Sequence, residues 1–212
     1  TVCETNLVTA VLAVRLTRRR VVVCLERALY IFDISNMACL QTLETTPNPN
    51  GIVALSSNEE NCYLAFPNCP QAAAGSSKNA ASAVGGAGGT GGQGEVMLYD
   101  ANTLKLVNKV MASRNPVAAL AFSRDGALLA SASEQGTVVR VFSVPEAHCV
   151  VTLRRGTSRA AVHSLAFNAA ATRLAVSSSS GTVHVFRVLG RGGDGGSSGR
   201  GGGPIGGGDG NG

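Results

Sequence analysis

The residues with the clearest chemical capacity in this chain are two consecutive arginines, Arg154 and Arg155, which end an apolar stretch and are followed at once by Gly156. A guanidinium is a planar fork of N–H donors that matches paired phosphate oxygens. Adjacent side chains on a strand point to opposite sides, so an arginine pair at a strand end can serve two separate pockets. One faces the repeat before and the other the repeat after. A phosphomonoester carries roughly −1.5 to −2 charges at neutral pH, more than one arginine offsets, so further donors are expected nearby. Ser133, Thr137 and Arg140 are candidates beside Arg154, and Thr157, Arg159, Ser178, Thr182 and His184 beside Arg155. The ordinary alternative for such a pair is carbonyl capping or plain solvation. For Arg140 and His184 it is an exposed strand residue and a packed imidazole.

No catalytic set accompanies these residues, and an enzyme is not expected. His148 falls in a polar turn and His163 and His184 in strand-like segments, none with a partnering nucleophile and carboxylate recognisable from spacing. The glycine-rich tracts lack the Lys-Ser/Thr ending of a phosphate-binding loop. The six cysteines, Cys3, Cys24, Cys39, Cys62, Cys69 and Cys149, form no CxxC pair and no Cys/His group with zinc-ligand spacing. They read as reduced structural thiols, and neither metal nor cofactor is expected. A second basic group, Arg18-Arg19-Arg20, is read as a turn between two strands: either a solvated turn or a docking surface for an acidic protein segment. Without interleaved aromatics it does not suggest nucleic acid.

These residues need a scaffold, and internal repetition supplies it. Leu29–Asp33, Val96–Asp100, Val139–Ser143 and Val183–Arg187 share one pattern, with aromatics at Phe32, Tyr99, Phe142 and Phe186. Their spacings are 67, 43 and 44 residues; removing an Ala/Gly-rich insertion before Glu95 brings the first to the ~40–45 residues of a propeller blade. Two further strand-like segments precede each aromatic one, as in Val117–Phe122 with Ala127–Ala132 and Val162–Phe167 with Arg173–Ser177. Turn signals separate them at Ser123–Gly126, Glu134–Gly136 and Ser179–Gly181. Blades are expected over 11–46, 51–110, 117–153 and from 162 into the tail, where the outer strand of the last blade is lost. Stacked blades bury both faces of each sheet, which accounts for strands rich in Val, Leu and Ala without polar alternation.

Composition limits the rest. Of 27 glycines, eight lie between Gly75 and Gly94 and fourteen between Gly190 and Gly212, so 71–94 and 189–212 are expected to be a disordered insertion and a disordered tail around a propeller domain spanning 1–188. No apolar run approaches the ~20 residues of a spanning helix, and a transmembrane protein is not expected. The net charge of +5 favours anionic partners.

The chain resembles the PROPPIN family of WD-repeat propellers, which includes the WIPI proteins. The residues carrying the likeness run from Val11–Arg15 and Val21–Glu26 through Thr45–Gly51, Cys62–Pro67, Pro116–Phe122 and Leu129–Phe142 to Leu153–Thr157 and Gly181–Phe186. The resemblance implies an all-β, seven-bladed WD40-type propeller, present here as about four blades. It implies two rim sites for phosphatidylinositol 3-phosphate and phosphatidylinositol 3,5-bisphosphate. Arg154 with Ser133, Thr137 and Arg140 would form the first, and Arg155 with Thr157, Arg159, Ser178, Thr182 and His184 the second. Ser113 stands where family members carry a histidine, which should weaken the first site. Family members also insert a loop of the sixth blade into the bilayer; the tail from Leu189 takes its place here, and with little besides glycine it reads as a spacer.

By the same resemblance, the chain would act in autophagosome assembly, including mitophagy. It would be cytoplasmic and peripheral on phagophore, autophagosomal and endosomal membranes, bringing lipid-transfer and conjugation-machinery proteins to 3-phosphorylated inositides. The competing expectation is a WD-repeat scaffold that binds only protein.

Overall fold

The computed structural model describes residues 4–68 and 94–188. Within them, fifteen strands form four antiparallel meanders, each folded in sequence order from an inner to an outer strand. The first comprises β1 (Ala13–Leu16), β2 (Arg20–Cys24), β3 (Ala28–Asp33) and β4 (Cys39–Glu44). The second comprises β5 (Ala54–Leu55), β6 (Tyr63–Asn68), β7 (Gly94–Asp100) and β8 (Lys105–Ser113). The third comprises β9 (Val117–Phe122), β10 (Leu128–Ser133), β11 (Val138–Ser143) and β12 (Cys149–Arg154). The fourth has three strands, β13 (Val162–Phe167), β14 (Arg173–Ser178) and β15 (Val183–Arg187).

These are the four expected blades, with two boundary corrections. The second blade runs to Ser113, three residues past its expected end, and Gly94, assigned to the insertion, opens β7. A Cβ at Gly94 would strike the backbone of Ser113 on the facing strand, so glycine here serves strand pairing instead of a linker. The rest of the insertion and the tail lie outside the described residues.

The apolar content of both sheet faces follows from stacking. Leu129 packs toward the second blade with Val96, Leu98 and Val110. Its neighbours Ala130 and Ala132 pack toward the fourth, with Leu165, Leu174 and Val176. A third cluster joins Val22, Leu29 and Ile31 of the first blade to Val53, Leu64 and Phe66 of the second. Fully burying a side chain such as Leu64, Leu98 or Leu129 stabilises the fold by about 1.5–3 kcal/mol. The two ends of the array carry exposed apolar residues, Val14 and Leu16 at one and Val183 and Val185 at the other.

The recurring aromatic marks a backbone device. Pairing with the outer strand shifts register at Ile31/Phe32, Leu98/Tyr99 and Val141/Phe142, a bulge at the same point of three blades. One residue later, the carbonyls of Asp33, Asp100 and Ser143 each accept from the N–H four residues on, at Met37, Leu104 and Ala147. All three acceptor turns end in a left-handed non-glycine residue, so a common turn delivers each outer strand to the blade edge.

Candidate functional site

The hairpin between the second and third strands of a blade and the connector leading to the next blade reach the same rim. Two copies of the pattern Ser-x-x-Gly-Thr form those hairpins, Ser133–Thr137 in the third blade and Ser178–Thr182 in the fourth. Each opening serine sits where pairing with the inner strand shifts register. Each glycine has positive φ, +62° at Gly136 and +72° at Gly181, a conformation glycine adopts without strain.

In the first copy, Ser133, Gln135, Thr137, Val138 and Arg140 line a cavity of about 340 Å³ together with Ser113, Arg114 and Asn115 of the connector before β9. Arg140 donates one N–H to the Ala112 carbonyl at 3.0 Å, and its other donors remain for the cavity. Three of the expected first-site residues are therefore brought together. Arg154 is exposed on β12 opposite Val138, in register with a lining residue but not lining the cavity itself. Ser113 is buried, with its hydroxyl donated to the Asn115 carbonyl. Arg114 was missed by sequence reasoning. Its signal was position, since it lies in the connector after an outer strand, as Arg155 does one blade later.

The second copy is built differently from expectation. Arg155 is only 7% exposed. Its Nε donates to the Gly136 carbonyl, one terminal nitrogen to the Ser158 carbonyl and the other to Ser180 Oγ at 3.2 Å. An open fork for phosphate was expected; three of the five N–H donors instead hold protein acceptors, because the side chain points inward where the connector folds over it. Ser180 Oγ lies 2.9 Å from Ser178 Oγ and 2.9 Å from Thr182 Oγ1, and Thr182 Oγ1 lies 3.5 Å from His184 Nδ1. The imidazole stacks on Phe186. Arg155, Ser178, Thr182 and His184 thus belong to one polar chain through Ser180, which the sequence reading omitted. Thr157 and Arg159 are exposed on the connector beside it.

On the opposite rim, the expected basic turn divides. Arg20 is not in the turn: it opens β2, its side chain 14% exposed, with Nε donating to the Ala101 carbonyl at 2.9 Å and NH1 paired with Asp33 at 3.3 Å. This is a brace between the first and second blades, which removes Arg20 from a docking surface. Arg18 and Arg19 are exposed and share Glu59, at 3.2 and 3.9 Å. Arg18 and Glu59 line a cleft of about 660 Å³ with Ser57, Asn58, Arg124, Asp125 and Ala169. The Ser123 hydroxyl, ahead of the Ala127 N–H, holds the Asp125 carboxyl below the usual range. The hydroxyl and N–H of Ser35 do the same for Asp33, with a smaller contribution from the Arg20 charge.

Cys24, Cys39, Cys62 and Cys149 are free thiols, and burial raises the pKa of Cys24 and Cys62. Cys3 and Cys69 lie outside the described residues. Among the described residues, no group of three His, Cys, Asp or Glu could hold a metal ion, and no helix is long and apolar enough to cross a membrane.

Four meanders arranged around their inner strands, with outer strands at the periphery, define part of a β-propeller. The PROPPIN family model matches residues 1–192, and the chain belongs to that family. It is 45% identical over 190 residues to "Autophagy-related protein 18" of Emericella nidulans, covering 89% of this chain and 44% of the relative. It is 46% identical over 187 residues to the protein of the same name from Mycosarcoma maydis, covering 88% and 41%. The chain therefore spans less than half the length of these relatives. Among solved structures, Hsv2 of Kluyveromyces lactis superposes with a TM-score of 0.68 at 21% identity over 90% of this chain and 52% of that one. A complex of KlAtg21 with the coiled-coil of AgAtg16 gives 0.73 at 25% identity over 88% and 55%.

Proposed function

We propose that this chain is a non-enzymatic recruitment module that reads 3-phosphorylated inositol lipids on autophagic membranes. The observation that carries this reading is the rim cavity in which Ser133, Thr137, Arg114 and Arg140 converge, with Arg154 exposed on the adjoining strand. Two or three guanidinium groups and two hydroxyls match the charge and acceptor count of a phosphomonoester. A second, weaker contribution comes from Arg155 and the hydroxyl chain to His184, where two guanidinium N–H donors remain uncommitted. Two modest sites on one rim reinforce each other on a surface, since engagement of one raises the effective concentration at the other. Membership of the family and relatives named for autophagy support the setting: cytoplasmic, peripheral on phagophore, autophagosomal and endosomal membranes. Phosphatidylinositol 3-phosphate and the 3,5-bisphosphate are the expected ligands.

The protein partner is proposed to be an acidic helical segment of the autophagy machinery. Support comes from the neighbouring structure solved with a coiled coil, and from the exposed Arg18–Arg19 pair beside a charged cleft.

Flotation of the 212-residue chain with phosphatidylcholine vesicles, with and without phosphatidylinositol 3-phosphate, tests the lipid reading. Binding should require the 3-phosphate, weaken as salt shortens the ~8 Å screening length, and fall with Arg140→Ala and with Arg154→Thr plus Arg155→Thr. The inward commitment of Arg155 favours the competing scaffold reading, in which that arginine only ties the blades together. Unchanged flotation of both variants would leave the scaffold reading standing and remove the lipid one.

A further inference from the structure

The two Ser-x-x-Gly-Thr hairpins differ at their third position, Gln135 in the third blade and Ser180 in the fourth. Gln135 lines an open cavity. Ser180 instead places one oxygen where three groups meet: an Arg155 terminal nitrogen at 3.2 Å, Ser178 Oγ at 2.9 Å and Thr182 Oγ1 at 2.9 Å. A guanidinium N–H and two hydroxyls around one oxygen is the coordination that a phosphate oxygen receives. Here the oxygen belongs to the protein.

We propose that Ser180 is a built-in stand-in for the ligand: its hydroxyl occupies the phosphate-oxygen position of the second site and must rotate away for an anion to enter. The inference rests on the phosphoinositide reading above and adds to it a self-occupied state. The position permits the exchange. Ser180 and Thr182 are exposed, so a displaced hydroxyl reaches water at little cost. Among the three Arg155 contacts, the bonds to Gly136 and Ser158 use backbone carbonyls, whereas Ser180 offers a rotatable side chain. An ionised phosphate accepts hydrogen bonds roughly twice as strong as a neutral hydroxyl does, so it wins the exchange while Ser180 lowers the affinity. The cost falls on one site only, which makes the third-blade cavity the leading one.

Substitutions at 180 separate a stand-in from a support, because the two roles predict opposite signs. In an Arg140→Ala background, which takes a guanidinium out of the third-blade cavity, Ser180→Ala frees the Arg155 guanidinium N–H, and half-maximal binding to vesicles bearing phosphatidylinositol 3-phosphate should need about threefold less lipid. Ser180→Asp places a permanent carboxylate against Arg155 and should raise the requirement at least about tenfold while the melting temperature holds or rises. Soluble inositol 1,3-bisphosphate should compete most effectively against the alanine variant. Weaker binding by Ser180→Ala would make the hydroxyl a support and overturn the proposal. So would parental binding by Ser180→Asp. If Arg155→Thr in the same background leaves binding unchanged, the second site itself fails and the proposal with it. If Arg155→Thr, shown by its melting transition to be folded at the assay temperature, abolishes binding while Ser180→Ala changes nothing, the site stands and the stand-in is overturned.

Discussion

The guanidinium of Arg155 donates to the carbonyl of Gly136, nineteen residues earlier on a hairpin turn of the preceding strand pair. The Thr137 carbonyl also accepts the Arg155 backbone N–H at 2.9 Å. Side chain and backbone of one residue thus fasten the connector of the third blade to its own hairpin, at the rim where both candidate headgroup sites lie.

The fastening predicts unequal consequences for the two arginines. Arg155→Thr strips partners from the Gly136 and Ser158 carbonyls and should cost about 2–4 kcal/mol in urea unfolding. Arg154→Thr, at an exposed position with only solvent to lose, should stay within about 0.5 kcal/mol of the parent. Equal stability of the two variants would mean that the Arg155 contacts do not hold in solution.

Gly136 and Gly181 occupy equivalent turns, yet alanine should act differently at each. At Gly136 a Cβ would lie 1.9 Å from the Ala160 carbonyl oxygen, whereas at Gly181 it meets nothing within 4 Å. Gly181→Ala carries only the left-handed strain, about 1 kcal/mol. Gly136→Ala adds a backbone collision and should cost about 3 kcal/mol or more. Thermal melts of the two variants make the comparison.

The basic turn on the far rim should also separate into two functions. Arg20→Ala removes a bond to Ala101 in the next blade and the pair with Asp33, and should lower stability by about 1–2 kcal/mol. Arg18→Ala with Arg19→Ala should leave the melt unchanged, since exposed pairs contribute little, while weakening capture of a synthetic acidic coiled-coil peptide. Calorimetry of the melt and peptide titration read the two effects independently.

Acid should find the turns first. Asp33 and Asp125 both have folded pKa values below their ordinary 3.8. A depressed carboxyl contributes stability that is fully present above the ordinary value and is lost as pH falls through the folded one. Urea midpoints should therefore drop between about pH 5 and pH 2. Ser123→Ala, which removes the larger cause of the Asp125 shift, should be less stable at neutral pH and lose less on acidification.

The blades were legible because their signals are local. Aromatics at a regular spacing, paired glycine turns and apolar residues on both faces located four blades to within a few residues, since a meander is specified by neighbouring hairpins. Arg140, Ser133 and Thr137 were assigned to one site on position and family likeness, and the hairpin geometry brings these three to one cavity. Arg20 was misread, because its decisive partner, Ala101, lies 81 residues away across an insertion. Ser180 and Arg114 were overlooked because small and basic residues in turns are common, and only convergence in space distinguishes them.

Sequence alone determined the architecture of this protein: strand periodicity and turn chemistry act over a few residues, and repetition multiplies the signal. Tertiary structure alone decided which arginine is free and which is spent. That choice depends on where carbonyls from separate hairpins come to rest, and strand alternation says that two side chains diverge without saying what either one meets.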